Sequence, residues 1–194
     1  MSAAAGQARV RRVAKPRPAP LTMVVPSDAV LEWRPAMPPI PHRVIDLRPH
    51  EVAVIAAALA ILECRLREPT PAYENPIMVK DFLRLHLAGR DRECFGVMFL
   101  DTQHRLIAFE VMFAGTIDQT AVHPRDVVRR SLQLNSAAII VAHNHPSGLP
   151  TPGRADEMIT AALREALGLV SVRLLDHIVV GSESAMSFAE SGLL

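Results

Sequence analysis

One short stretch limits the folds open to this chain more than any other, an apolar run that leads directly into two histidines. Residues 137–142 read AAIIVA, and His143, Asn144 and His145 follow at once. A short apolar run bounded by turn residues is typical of a strand buried on both faces, which needs other elements packed on each side. The sequence therefore predicts a central strand in a layered fold, with the two histidines at its carboxyl end.

The two histidines and a later acid have the spacing of metal ligands. Residues two apart on a strand project to the same side, about 6.6 Å apart along the backbone. His143 and His145 can therefore reach one ion at about 2.0–2.1 Å from each nitrogen. Asp156 follows across a Pro/Gly/Ser-rich turn, at the start of the next helical pattern. Its carboxylate can act as a third ligand and leave a fourth position open, although on its own it could simply complement the helix N-terminus.

Apolar periodicity and turn residues outline the other elements. Helices are predicted from Pro49 to the residues before Pro69, from Pro76 to Gly89 with Asn75 as the cap, from Pro124 to near Asn135, and over 154–167. Strands are predicted over 94–100, 106–113 and 173–180. Because strands and helices alternate after an early hairpin-like pair, we expect an α/β sandwich with a mixed sheet and flanking helices.

The N-terminal region differs in composition from the rest. Nine of the 16 prolines fall within the first 49 positions, and residues 1–45 are rich in proline and arginine. We expect a disordered tail there, with a basic arm that contacts nucleic acid as the alternative. An amphipathic helix within 46–71 and a domain over 72–194 should follow.

Composition and cysteine content narrow the class of protein. The formal charge of +1 implies no polyanion partner by itself, and no apolar run approaches the roughly 18 residues of a membrane span. Cys64 and Cys94 show no metal-ligand spacing, and no signal peptide is evident. We therefore expect buried, reduced thiols in a cytoplasmic protein.

Two further positions have both a functional and a structural interpretation. Glu110 interrupts the apolar run LIAFEVMF, so it is either a general acid/base or an edge-strand carboxylate that points to water. Asp176 and His177 are adjacent on a predicted strand and should face opposite sides, which favours structural or supporting roles.

The motif around the histidines resembles a known family. HNHPSG followed by Asp156 is similar to the JAMM (MPN+, JAB-type) metalloprotease pattern H-x-H-x7-S-x-x-D, which has a glutamate upstream. The stretches at 109–118, 122–148 and 174–181 narrow the resemblance to the RadC branch of that superfamily.

The resemblance implies a fold, a metal and a reaction. The fold would be the MPN (JAB) sandwich, which is related to cytidine deaminases. His143, His145 and Asp156 would bind one Zn²⁺ per chain, and Glu110 would be the glutamate that handles the proton of the attacking water. The implied activity is zinc-dependent hydrolysis of an amide or isopeptide bond in a protein or peptide substrate. The lack of a membrane-length apolar run adds the expectation that there is no membrane partner.

One position departs from the family pattern. Gly153 stands where the motif has serine, whose hydroxyl is thought to hydrogen-bond the tetrahedral intermediate. The metal ligands are unaffected, but catalytic activity is placed in question. The alternative interpretation is a zinc-stabilised, non-catalytic binding module associated with DNA repair. A DNA role has little support in the sequence, because we find no equivalent of the helix-hairpin-helix region common in RadC proteins.

Overall fold

The strand that carries the histidines is the middle member of a five-stranded sheet. The protein is represented by a computed structural model that describes residues 47–68, 75–115 and 121–194. The strands are β1 (Cys94–Leu100), β2 (Leu106–Ala114), β3 (Ala138–Asn144), β4 (Arg173–Val180) and β5 (Ala185–Ser187). The helices are α1 (Pro49–Arg67), α2 (Pro76–Leu87), α3 (Pro124–Gln133) and α4 (Arg154–Gly168).

The sheet is mixed, as the sequence predicts. Its order is β2-β1-β3-β4-β5, so β2 and β5 are the edge strands. β3 is antiparallel to β1 and parallel to β4, while β2 and β5 each pair antiparallel with their neighbours. All seven residues of β3 are buried, which explains why that segment is apolar without alternation.

Helices α3 and α4 cover the face of the sheet on which His143 lies. Val127 of α3 and Leu163 and Leu167 of α4 are fully buried in one cluster with strand residues. The strand residues of this cluster include Phe95, Val97, Phe99, Ile139 and Val141. Since side chains alternate across a strand, His143 continues the row of Ile139 and Val141 at the end of β3.

Helices α1 and α2 cover the opposite face. Phe82, Leu83 and Leu87 of α2 and Leu66 of α1 are buried in a second cluster. The strand residues of that cluster include Cys94, Met98, Ala138, Ile140 and Ala142. The described residues thus form three layers, with the sheet between two helical layers, and the predicted α/β class is confirmed.

The connection from β3 to β4 creates the candidate site. Parallel neighbours need a crossover, and α4 provides it. The chain leaves the carboxyl end of β3, turns through residues 145–153 and enters α4 at Arg154. The first turn of α4 therefore lies close to the end of the strand from which the histidines project.

The predicted helix at Pro49 is confirmed, but its N-terminal half packs less than expected. Leu66 is buried, and Leu59 and Leu62 are partly buried against the core, whereas Val52 is 51% exposed. The apolar face therefore joins the core only through its C-terminal half.

The expectation for the cysteines was half wrong. Cys94 is buried in β1, but Cys64 lies exposed on α1, on the side turned away from Leu66 and the core. The predicted disordered tail, residues 1–45, and the predicted boundary at residues 71–72 lie outside the described residues. Within the part that the structure describes, the helices are too short or too polar to cross a membrane.

Candidate metal centre

The two histidines converge at the carboxyl end of β3. His143 is the penultimate residue of the strand and is 1% exposed, while His145 lies just beyond the strand. The amide of His145 donates to the carbonyl of Val180 over 3.0 Å, which keeps the chain in register with β4. The Nε2 atoms of the two imidazoles are 2.9 Å apart. The predicted convergence of the pair is therefore present.

Asp156 completes the group from the first turn of α4. Its Oδ1 lies 3.2 Å from Nε2 of His143, and its Oδ2 lies 3.6 Å from Nε2 of His145. The backbone amide of Gly153 donates to Oδ2 over 2.7 Å and so orients the carboxylate towards the histidines. All three ligand atoms lie within 4.8 Å of one another. Tetrahedral ligands at about 2.0–2.1 Å from zinc are about 3.4 Å apart, so these separations suit one ion.

The protonation of His145 gives an independent test of whether a metal fits. Its Nδ1 lies 2.8 Å from the carbonyl oxygen of Leu149. A carbonyl only accepts, so Nδ1 carries a proton. If the imidazole of His145 is neutral, its Nε2 carries only a lone pair, and this lone pair points at the carboxylate of Asp156, which is also an acceptor. Two acceptors that face each other repel unless a proton or a metal ion lies between them, so the residues fit a metal ion in this position.

The loop that holds Leu149 is fixed by a close approach of two glycines. Gly148 has a φ of +82°, a conformation that favours glycine, and its carbonyl accepts from the amide of Ser182 over 3.0 Å. A Cβ on Gly181 would lie 2.5 Å from the carbonyl oxygen of Gly148. The turn after β4 therefore supports the loop only because Gly181 lacks a side chain.

The local electrostatics keep the group ready for a cation. Burial lowers the pKa of His143 to about 4, against the opposing charge of Asp156. The pKa of His145 is raised, chiefly by the hydrogen bond that its protonated Nε2 donates to Asp156, so in the metal-free site a proton can take the position between them. For Asp156 burial is the largest single influence and raises the pKa, but the hydrogen bond to His145, the neighbouring charge of His143 and the Gly153 amide together lower it to about 2. Near neutral pH, His143 is therefore neutral and Asp156 ionised.

His177 lies directly behind His143. Nε2 of His177 is 2.8 Å from Nδ1 of His143, and the His177 side chain is fully buried. The adjacent Asp176 contacts β5 instead, where it accepts from the hydroxyl of Ser187 over 2.6 Å and from the amide of Ala189 over 3.0 Å. The prediction that the two residues face opposite sides is confirmed.

Glu110 lies on the same face of the sheet as the histidines but is paired elsewhere. It is opposite Val97 on β1, and Val97 is opposite Val141 on β3. Two strand spacings and a two-residue offset separate its Cα from that of His143 by about 12 Å. The Glu110 carboxylate accepts a fork of hydrogen bonds from Arg130 of α3, including Nε to Oε2 at 2.9 Å. It thus neither reaches the metal ligands nor points freely to water.

Gly153 is the residue before α4, and its backbone is ordinary. Its φ of −95° and ψ of 171° are extended values that any residue adopts. An added Cβ would meet only Oδ2 of Asp156, at 3.7 Å. The glycine is therefore not required by the local conformation.

The sequence predictions missed two supporting groups. Thr160 contacts His177, and Arg130 contacts Glu110. Thr160 lies one helical turn after Asp156, so its position beside the site could have been inferred from helix spacing. Arg130 had no such signal, because its partner comes from another element.

Comparison with known proteins agrees with this geometry. Residues 73–193 match the model of a family described as the RadC-like JAB domain. Among the described residues, that range includes all five strands, three of the four helices and all three candidate ligands.

Several curated relatives are similar over the same region. A UPF0758 protein of Methylibium petroleiphilum is 55% identical over 152 residues, which is 76% of this chain and 68% of the relative. A UPF0758 protein of Leptothrix cholodnii is 58% identical over 124 residues, 64% of this chain and 56% of the relative. The UPF0758 protein YeeS of Escherichia coli is 47% identical over 148 residues, 76% of this chain and 100% of the relative.

The family match, the relatives and the mixed five-stranded sheet agree with an MPN-type α/β fold in which a His-His-Asp group could bind a metal ion. This chain belongs to the RadC-like JAB domain family.

Proposed function

We propose that the protein is a zinc-dependent metallohydrolase that cleaves an amide or isopeptide bond in a protein or peptide. The observation that carries the proposal is the convergence of three acceptor atoms, from His143, His145 and Asp156, at the exit of β3. Two imidazole nitrogens and one carboxylate leave part of a zinc coordination shell open, as catalytic rather than structural zinc sites do.

The chemistry divides between the ligands and a proton acceptor. A bound zinc ion would supply a Lewis acid that polarises the scissile carbonyl and makes water a better nucleophile. The ligands hold the ion, and the Gly153 amide and the Leu149 carbonyl orient two of them. Glu110 is the proposed acceptor of the water proton, which it would deliver to the leaving amine.

The proposed role of Glu110 requires a change in its present contacts. Its carboxylate accepts from Arg130, so it must leave this ion pair or act through an intervening water. Position supports the assignment, since Glu110 lies on the face of the sheet that carries His143.

Metal content and hydrolysis test the two parts separately. In full-length protein, His143→Ala and Asp156→Asn should abolish stoichiometric zinc, measured by elemental analysis after equilibration with zinc. Glu157→Gln, one residue further along the same helix and exposed, is the matched control and should retain it. Glu110→Gln should retain zinc but lose cleavage of a peptide or isopeptide library.

Two results would contradict the assignment. If Glu110→Gln loses zinc as completely as His143→Ala, then Glu110 is part of the metal site instead of the proton acceptor. If the wild type binds no zinc under conditions in which it is folded, the metallohydrolase proposal fails.

A zinc-stabilised binding module is the second candidate function. Gly153 removes the motif hydroxyl, and Arg130 occupies the carboxylate of Glu110, so both observations favour a site that binds metal without turnover. Salt-sensitive DNA binding by zinc-loaded protein, with no cleavage of the peptide library, would support the module.

A further inference from the structure

A buried chain of polar groups runs behind His143 and ends at the backbone of another proposed ligand. Nδ1 of His143 lies 2.8 Å from Nε2 of His177, and Nδ1 of His177 lies 2.6 Å from the hydroxyl oxygen of Thr160. That hydroxyl also contacts the carbonyl oxygen of Asp156, four residues earlier in α4. The three side chains in this series are almost completely buried, with exposures of 1% for His143, 0% for His177 and 3% for Thr160.

The carbonyl at the end of this chain determines where each proton lies. A carbonyl has no proton to give, so the single hydroxyl proton of Thr160 occupies the contact with Asp156. The hydroxyl oxygen must then accept from His177, which puts a proton on Nδ1 of His177. A fully buried imidazole is neutral, because burial disfavours its charged form. Nε2 of His177 is therefore a lone pair.

The same reasoning reaches the proposed metal ligand. Nε2 of His177 can only accept, so Nδ1 of His143 donates to it. His143 is neutral and then has its own lone pair on Nε2, the atom that lies 3.2 Å from Asp156 and 2.9 Å from His145. Aromatic contacts hold the plane of the His177 ring, since Phe188 stacks on it at a centroid distance of 4.8 Å and Phe95 meets it edge-on at 5.7 Å.

We infer that Thr160 and His177 are positioning residues that fix the tautomer of His143 in its metal-binding form. The inference rests on the proposed metal-binding function, but its proton assignment does not depend on whether a metal is bound. It also explains why a histidine is buried at position 177: among the described residues, its ring lies between His143 and Thr160 and can accept a proton from one while it donates a proton to the other.

The tautomer is directly measurable in full-length, metal-free protein. With ¹⁵N-labelled histidine at neutral pH, we expect His143 to show a protonated Nδ1 and an unprotonated Nε2, with the same protonated Nδ1 for His177. Thr160→Val keeps the shape of the side chain but removes the hydroxyl, which leaves Nδ1–H of His177 buried without an acceptor. Both imidazoles should then move their protons to Nε2. Thr160→Ser retains a hydroxyl and should behave as the wild type.

Zinc affinity gives the second measurement. Competition with a chromophoric chelator should show about 10–100-fold weaker binding for Thr160→Val and for His177→Phe, the usual effect of losing a group that orients a ligand. Thr160→Ser should stay near the wild-type affinity. A purely structural role would lower the melting temperature of the metal-free protein without changing the tautomer of His143.

The possible outcomes separate this inference from the proposed function. Equal zinc affinity in Thr160→Val and Thr160→Ser overturns the inference and leaves the metallohydrolase proposal intact. If Thr160→Val does not fold, the wild-type spectrum decides alone, and a protonated Nε2 on His143 would overturn the inference. A wild type that shows the expected tautomers but binds no zinc would contradict the proposed function and retain the proton chain.

Discussion

Replacing Gly153 by serine tests whether the missing motif hydroxyl limits the reaction. The glycine lies at the N-cap of α4, three residues before Asp156, and its φ of −95° and ψ of 171° suit a serine without strain. The nearest atom to an added Cβ is Oδ2 of Asp156, at an ordinary van der Waals distance of 3.7 Å. Folding should change little, because serine and glycine differ by only a few tenths of a kcal/mol at an N-cap.

The expected gain is kinetic. If the hydroxyl donates to the oxyanion that develops during amide hydrolysis, restoring it should raise turnover by about 10²–10³-fold, the usual effect of one such donor. Zinc content should be unchanged, since the Gly153 amide that orients Asp156 is retained in the variant. The measurement is the initial rate on a responsive peptide or isopeptide substrate at equal zinc occupancy.

Gly153→Ala is the matched control. Alanine adds the same Cβ without a hydroxyl, so it separates an effect of the backbone or of the added methyl from an effect of the donor. We expect the alanine variant to remain at the wild-type rate and Glu110→Gln to give no rate. Equal acceleration by alanine and serine would refute the reasoning, and so would a wild type that already cleaves efficiently and gains nothing from serine.

Two further predictions concern the elements around the site. Gly181→Ala should weaken zinc binding at least several-fold in the chelator competition. The added Cβ would lie 2.5 Å from the carbonyl oxygen of Gly148 and would displace the loop that orients His145. An unchanged zinc affinity would show that the loop can shift without consequence. In the β1–β2 turn, burial raises the pKa of Asp101, but its hydrogen bonds with Arg105 and Gln103 outweigh burial and lower it. Because the pKa of Asp101 is lowered on folding, its ionised carboxylate stabilises the fold when the pH is above its ordinary pKa near 3.8. This contribution to stability is lost as the pH falls through the pKa of the folded state. Asp101→Asn should therefore cost about 1–2 kcal/mol in urea unfolding at pH 7 and much less near pH 2; an equal cost at both pH values would contradict the assignment.

Much of the metal site could be predicted from sequence because its parts are local. His143 ends the inward-facing row of β3, His145 follows two residues later just beyond the strand, and Asp156 follows after one turn, so period and spacing bring them together without knowledge of the rest of the fold. The strand boundaries at β4 and the N-terminus of α4 were predicted to the residue for the same reason.

The remaining features depend on contacts between distant elements. The pair of Glu110 and Arg130 joins β2 to α3, and the contact of His143 with His177 joins β3 to β4. Neither is encoded in a short-range pattern. The cysteine spacing and the lack of a signal peptide predict that Cys64 is buried, but the direction in which its side chain leaves α1 makes it exposed.

The metal-binding half and the proton-handling half of the site are built on different parts of the fold. The ligands come from β3, the loop after it and α4, which the parallel β3–α4–β4 unit holds together. Glu110 comes from β2, an edge strand beyond β1, and its partner Arg130 comes from α3. The two halves are held by different hydrogen bonds, so a substitution that disables one need not disturb the other. Intact ligands therefore argue for metal binding but not for turnover, and the distinction between an enzyme and a binding module depends on Glu110 and Gly153.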